Sequence, residues 1–337
     1  MPQTQLSIRE RYVITHMHNA GFSNTEIARR IGRHRATIGR ELRRNRDVFD
    51  VYHYDPAQRL AEHRRASASR RYKLDAPGSD LGRFVRHGLR QRWSPQQISG
   101  RLAHERRRPG GGGDPAMRIS HETIYRFVYR RYQQGERWHE QLRRRHKRRR
   151  PRCVGQRTAR GQIPGRVGIE HRPAAANDRR RFGDWESDTV EGAKGTGLIA
   201  THVERKSRYI RIGKLKNKKA ATLSAVTCAV MKGLPKKLRR TLTADNGKEF
   251  ADFASIERGL NLEVYFANPH APWERGTNEN TNGLLRDWFP KGSDFSRITN
   301  ARLAHVQQML NNRPRKCLNY RTPREVLNAL PGVALRN

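Results

Sequence analysis

Five short apolar runs crowd into residues 182–266, and their order restricts what the chain can fold into more than any other feature. Phe182 to Val190, Leu198 to Val203 and Tyr209 to Leu215 read as three successive strands, with the polar turn Glu204-Arg205-Lys206-Ser207 closing a hairpin. Lys218 to Lys232, rich in Ala and Val, reads as a helix. Arg240 to Ala244 follows as a fourth strand, Glu249 to Gly259 as a helix and Leu262 to Phe266 as a fifth strand. Two more helices follow, Glu274 to Trp288 and Thr299 to Asn312. Three sequential strands, then helix, strand, helix, strand and helices make an α/β domain with a mixed five-stranded sheet and helices on its faces.

The rest of the chain has a different texture. Across its 337 residues, 71 Lys+Arg against 31 Asp+Glu leave a net charge of +40, and the sequence pI is near 11.5. Such a charge calls for a polyanionic partner whose binding is steered and salt-sensitive, because each neutralised phosphate releases counterions. Nucleic acid fits better than an anionic membrane surface. No apolar run reaches the roughly 18 residues of a membrane span, and Met1 to Tyr12 has no signal-peptide core, so the expectation is a cytoplasmic protein. Cys153, Cys228 and Cys317 have no close-spaced partner, and the histidines are scattered among arginines. Disulfide staples and zinc sites are therefore not expected.

Residues Leu6 to Asn45 read as three short helices. Ser23-Asn24-Thr25-Glu26 has capping-box spacing, and Gly32 ends the helix that follows. In the next helix Ile38 and Leu42 face inward, while Ala36, Arg40 and Arg43 fall on the opposite side, flanked by Thr37 and Arg44. This is the layout of a helix-turn-helix, with Arg33, Arg35, Thr37, Arg40, Arg43 and Arg44 as candidate DNA contacts; its rival is a small basic bundle with solvated arginines. Tyr54 to Tyr72 is helical in propensity. Ser94-Pro95-Gln96-Gln97 opens a second helix-turn-helix pattern whose next helix starts at Ser120, with Gly110 to Gly113 lengthening the turn between. The expected division is a helix-turn-helix domain at 1–46, a helical connector at 47–87, a second helix-turn-helix-like domain at 88–142, a basic linker at 143–177 and the α/β domain at 178–337. The densest basic run, Arg143 to Arg152, falls in that linker.

Three acidic segments carry the chemistry. Asp184, Glu186 and Asp188 are two apart and share one face of the first strand, so periodicity alone does not choose among them. Asp245 closes the fourth strand, and Asn246-Gly247 makes a tight turn behind it; an ordinary Asp-Asn-Gly turn is the plainer reading of that residue alone. Glu279 sits among poor helix formers, Gly276, Thr277, Asn278, Asn280, Thr281, Asn282 and Gly283, and Arg286 lies two turns further along the same face. Convergent carboxylates are hard ligands for Mg²⁺ or Mn²⁺, and a pair of such ions would activate an oxygen nucleophile and neutralise the leaving oxygen of a phosphodiester.

The runs WESDTVEG, LTADNGKEF and PHAPWERGTNENTNGLLRDWFPKG resemble the three signatures of DDE transposases of the insertion-sequence-thirty family, related in core fold to retroviral integrases. The order of strands and helices is that of a ribonuclease-H-like core, and 56 residues separate Asp188 from Asp245, with 33 between Asp245 and Glu279. NNRPRKCLNYRTPREVL and the N-terminal helical patterns are similar to the family as well. The resemblance selects Asp188 over its neighbours. It implies that Asp188, Asp245 and Glu279 bind two Mg²⁺ or Mn²⁺ ions, with Arg286 as the basic residue two turns after the glutamate. It also implies recognition of terminal inverted repeats in double-stranded DNA, insertion into target DNA and a homo-oligomer of at least two chains. A DNA-binding repressor without activity, or a nuclease of the same fold, are the alternatives.

Overall fold

The structure is a computed structural model, and it describes residues 5–46, 51–68, 73–76, 78–107, 114–143, 163–269 and 271–331. Gly110–Gly113, Cys153 and the basic run beyond Arg143 lie outside the described residues. The chain divides into two compact units, 1–77 and 78–337.

The first unit holds α1 (Ile8–Asn19), α2 (Asn24–Ile31), α3 (Arg35–Asn45) and α4 (Tyr54–Ala68). Capping boxes at Ser7/Glu10 and Ser23/Glu26 open α1 and α2 by satisfying orphan N–H groups from both sides. Gly32, at φ 68°, turns the chain left-handed between α2 and α3, where a side chain would be strained. Ile14, Ile27, Ile38 and Leu42 close the core, so the inward stripe expected of α3 is the one observed. A buried ion pair crosses this core: Arg11 Nε lies 2.7 Å from Glu41 Oε1, and the Tyr52 hydroxyl donates to the same oxygen at 3.2 Å.

In the second unit come α5 (Asp80–Arg90), α6 (Pro95–Arg106), α7 (His121–Gln133) and α8 (Ala174–Asn177), then β1 (Asp184–Glu191), β2 (Leu198–Glu204) and β3 (Ile210–Leu215). After them run α9 (Ala220–Met231), β4 (Thr241–Ala244), α10 (Phe253–Leu260), β5 (Glu263–Phe266), α11 (Gly276–Leu285), α12 (Asn300–Asn311) and α13 (Pro323–Asn328). The sheet order is β3-β2-β1-β4-β5. β1, β2 and β3 pair antiparallel, whereas β1-β4 and β4-β5 pair parallel. This is the mixed five-stranded, ribonuclease-H-like arrangement expected from the element order. Two helices begin later than the sequence suggests. Glu249 lies in the 3-10 turn Lys248–Phe250 ahead of α10, and Glu274 in the 3-10 turn Pro272–Arg275 ahead of α11. The helix α5 is a further element that the sequence reading did not identify.

The sheet is covered on both faces. Trp185, Leu198, Ala200, Leu242, Ala244, Val264 and Phe266 pack with residues of α9 and α10 in one apolar cluster. On the other face Ile199, Val203, Ile210 and Ile212 pack with Leu284 and Leu285 of α11 and with Leu303, Val306 and Leu310 of α12. Its edges are covered as well. Along β3, the Ile212 N–H donates to Gln307 Oε1 at 2.9 Å and the Ile210 N–H to Asn311 Oδ1 at 2.8 Å, while Asn311 Nδ2 returns a bond to the Ile210 carbonyl. Beside β5, Gly168 bridges Phe266 in parallel, and the Phe266 N–H donates to the Val167 carbonyl at 2.9 Å.

Polar bonds tie α6 to the end of the chain. Both terminal nitrogens of Arg101 reach Glu325 at 2.6 Å, and Arg313 Nε donates to Gln97 at 3.0 Å. Burial pushes the Glu325 carboxyl up, but Arg101 and the bonds from Thr322 outweigh it and hold the group at about 2. No helix among the described residues is long and apolar enough to cross a membrane.

Candidate active site

The three acids on β1 share the face of the sheet that α11 covers, yet they have different surroundings. Asp184 is sequestered by Arg181, whose Nε lies 2.9 Å away, and by the Thr241 hydroxyl at 2.8 Å. Glu186 is fully buried: its Oε2 accepts the Asn278 N–H at 2.9 Å, and Arg205 Nη1 stands 3.5 Å from its Oε1. Asp188 is the one of the three whose carboxylate reaches solvent, with a side chain 25% exposed against 1% and 0%.

Register places Asp188 beside Asp245. The parallel pairing matches Glu186 with Thr243, and two residues further along both strands Asp188 comes level with Asp245. Adjacent strands run about 4.8 Å apart, so the carboxylate midway along β1 sits beside the one that directly follows β4. Arg275 bridges them, its Nη1 3.5 Å from Asp188 Oδ2 and its Nη2 3.7 Å from Asp245 Oδ2. Each acid also accepts a nearby backbone N–H: Thr189 N–H donates to Asp188 Oδ1 at 2.8 Å, and Gly247 N–H to Asp245 Oδ1 at 3.1 Å. Burial pushes the Asp188 carboxyl up to about 6; Arg275 opposes this, while the charges of Asp245 and Glu249 reinforce it.

Glu279 is placed differently. It is exposed on the first turn of α11 and makes no hydrogen bond or ion pair among the described residues. Among those residues the structure holds no cluster of three or more His, Cys, Asp or Glu side chains arranged to hold a metal. Asp188 and Asp245 are thus brought together, and Glu279 stands apart from them. Its helix nevertheless reaches the pair: Asn282, one turn further on, donates from Nδ2 to Asp188 Oδ2 at 3.0 Å. Asn282 Oδ1 is buried with no partner among the described residues. Two carboxylates in register and a buried amide oxygen without a donor are oxygen groups of the kind that suit a hard divalent cation and not zinc.

Arg286 caps the C-terminus of α11 and donates to the Glu191 carbonyl at 2.8 Å, at the far end of β1. In the first unit, Arg35, Arg40, Arg43 and Arg44 are exposed on α3, and Thr37 is half-buried. Arg33 differs, because its Nε is held 2.6 Å from Glu10 Oε1, and that pair lowers the Glu10 carboxyl to about 2. Sequence reasoning did not single out Arg275, Asn278 or Asn282. The signal present was the pair of asparagines four apart in a helix of poor helix formers.

Residues 3–45 match the family model described as a helix-turn-helix domain. The chain is 40% identical to the transposase for insertion sequence element IS1086 of Cupriavidus metallidurans, an alignment covering 96% of this chain and 94% of that one. It is 39% identical to the transposase for IS4351 of Bacteroides fragilis, over 94% and 93% of the two chains. To transposase InsI for IS30A of Escherichia coli it is 37% identical, over 98% and 84%. Among solved structures, the catalytic core domain of BIV integrase aligns with 43% of this chain and 92% of that one, at 18% identity and a TM-score of 0.34. That likeness is too loose to bear on the fold, which rests on the strand order. Carrying the helix-turn-helix unit, the mixed sheet and this identity across nearly its full length, the chain belongs to the IS30 family of insertion-sequence transposases.

Proposed function

We propose that this protein binds the terminal inverted repeats of its own insertion sequence and catalyses metal-dependent DNA strand cleavage and strand transfer. The observation that carries this reading is the in-register placement of Asp188, midway along β1, and Asp245, directly after β4, with α11 docked over Asp188 through Asn282. Asp188, Asp245 and Glu279 are the residues that would hold two Mg²⁺ or Mn²⁺ ions. Once bound, such ions supply activation of an oxygen nucleophile and neutralisation of the leaving oxygen. The chain's own residues do the rest. Arg275 balances the two aspartates in the metal-free protein, and Asn282 orients the Asp188 carboxylate. Water attacks first at the element end, and the released 3′-hydroxyl then attacks a second phosphodiester in the target. The exposed arginines of α3 contact the repeats, and Arg286 lies on α11 within reach of DNA phosphates beyond β1. Two element ends with one such centre per chain imply a homo-oligomer of at least two copies.

The test is direct. Linear or supercoiled DNA bearing the cognate ends is nicked and joined only with Mg²⁺ or Mn²⁺, and Glu279→Gln abolishes both steps while sparing DNA binding. Cleavage by the Gln variant at the wild-type rate would remove the site assignment. Cleavage indifferent to the element ends would identify a nuclease of the same fold, and binding without any cleavage a repressor.

A further inference from the structure

The amino-terminal half of α11 has no apolar anchor. Its buried residues there are Thr277, Asn278 and Thr281, and the leucines that join the apolar cluster, Leu284 and Leu285, come only at the end. The helix also begins without a side-chain cap from its own flanking residue. Its position on the sheet therefore depends on hydrogen bonds: Arg208 Nη1 donates to the Thr277 hydroxyl at 2.6 Å, and the bonds to β1 form two rungs.

Glu186 and Asn278 make the first rung. The Glu186 carboxylate accepts the Asn278 N–H at 2.9 Å, capping from β1 an amide that the helix leaves unpaired, at the end where the helix dipole favours negative charge. The Asn278 side-chain amide donates to the carbonyls of Glu186 and Thr201 at 3.2 and 3.3 Å, and its oxygen lies 3.1 Å from the Thr201 hydroxyl. Asp188 and Asn282 make the second rung. Four residues of helix rise about 6.0 Å and two residues of strand about 6.6 Å, so both rungs close only when the helix runs alongside β1 at one height.

We propose that Glu186 and Asn278 are positioning residues, a lock that sets the height and rotation of α11 on β1 and thereby where Glu279 stands relative to Asp188. This rests on the reading of Glu279 as the third metal-binding acid. Glu186 acts through the helix, since it is fully buried, one oxygen accepts the Asn278 N–H, and the other faces the Arg205 guanidinium at 3.5 Å. A slip of one residue would turn Glu279 by about 100° about the helix axis and so change its bearing on the aspartates.

Mn²⁺ binding to the full chain, followed by electron paramagnetic resonance, tests the lock without requiring turnover. Glu186→Ala is expected to weaken Mn²⁺ binding about 10- to 100-fold, the range seen when a partner behind the metal ligands is lost. Glu186→Gln is expected to recover most of it, because the amide oxygen still accepts the Asn278 N–H. On a Glu279→Gln background, Glu186→Ala should add no further loss, since both act through one carboxylate. Additive losses, or wild-type affinity in both Glu186→Ala and Asn278→Ala, would overturn the lock. Should Glu186→Ala fail to fold, Asn278→Ser carries the same comparison. Wild-type Mn²⁺ affinity and cleavage in Glu279→Gln alone would instead remove the site reading on which the lock rests, and the lock with it.

Discussion

One sheet presents two unlike faces. Beneath α9 and α10 the contacts are apolar, from Trp185 and Leu242 to Phe266, and burial of area holds them with little directional demand. Where α11 crosses β1 and β2, the buried groups include Glu186, Thr201, Thr277 and Asn278, and a displaced partner leaves a buried polar atom unpaired. The first face supplies stability that tolerates small shifts; the second fixes atoms in place. A catalytic centre built on the second face inherits that sensitivity to position.

The comparison breaks most sharply at Trp185. It is fully buried and its indole donates to the Leu238 carbonyl at 2.7 Å, so Trp185→Ala should destabilise the unit by about 3 to 5 kcal/mol in urea unfolding. If that variant, while still folded, loses Mn²⁺ affinity as severely as Glu279→Gln, the two faces are not separable. On the polar face, Glu279→Gln should reduce strand cleavage more than about a hundredfold, beyond the range for partners behind a metal ligand. Its thermal unfolding should be unchanged, because Glu279 is exposed and makes no bond among the described residues. A fall in unfolding temperature would show Glu279 to be part of the scaffold.

The helix-turn-helix unit supplies a third reference. Arg40→Ala or Arg43→Ala should cost roughly 1 to 3 kcal/mol in binding to element ends if the residue reads a base, and weaken all DNA alike if it meets only phosphate. Neither should alter Mn²⁺ affinity, measured without DNA. The smallest effect is expected at Glu10, whose carboxyl is lowered from 4.5 to about 2 chiefly by the hydrogen bond from Arg33. A depressed folded-state value stabilises above about pH 4.5, and the gain fades as pH falls towards 2. The pair is half-buried at the surface of the unit, where nearby solvent screens it, and its worth is about 1 kcal/mol. Melting curves of the protein and of Glu10→Gln should differ slightly at neutral pH and converge by about pH 2.

Strand order was readable in advance because short apolar runs and polar turns are local signals, and the same holds for the capping boxes at Ser23 and Ser94. What separates Asp188 from Asp184 and Glu186 is not local. Periodicity gives all three one face, and the choice depends on Arg181, Arg205 and Asn278, which lie elsewhere in sequence or are indistinguishable there from other polar residues. The bridge made by Arg275 was hidden for the same reason, since one arginine among so many carries no pattern. Asn278 and Asn282 read as a weak helix because propensity does not count bonds to a sheet, and here those bonds override it.

The amides of Gln307 and Asn311 do for β3 what a sixth strand would do, and Val167 and Gly168 do the same for β5. Backbone groups open to a neighbour are the usual template for uncontrolled strand addition, and copies gathered on the same DNA would meet at high local concentration. With both rims engaged, a neighbouring copy finds no template for lengthening the sheet there.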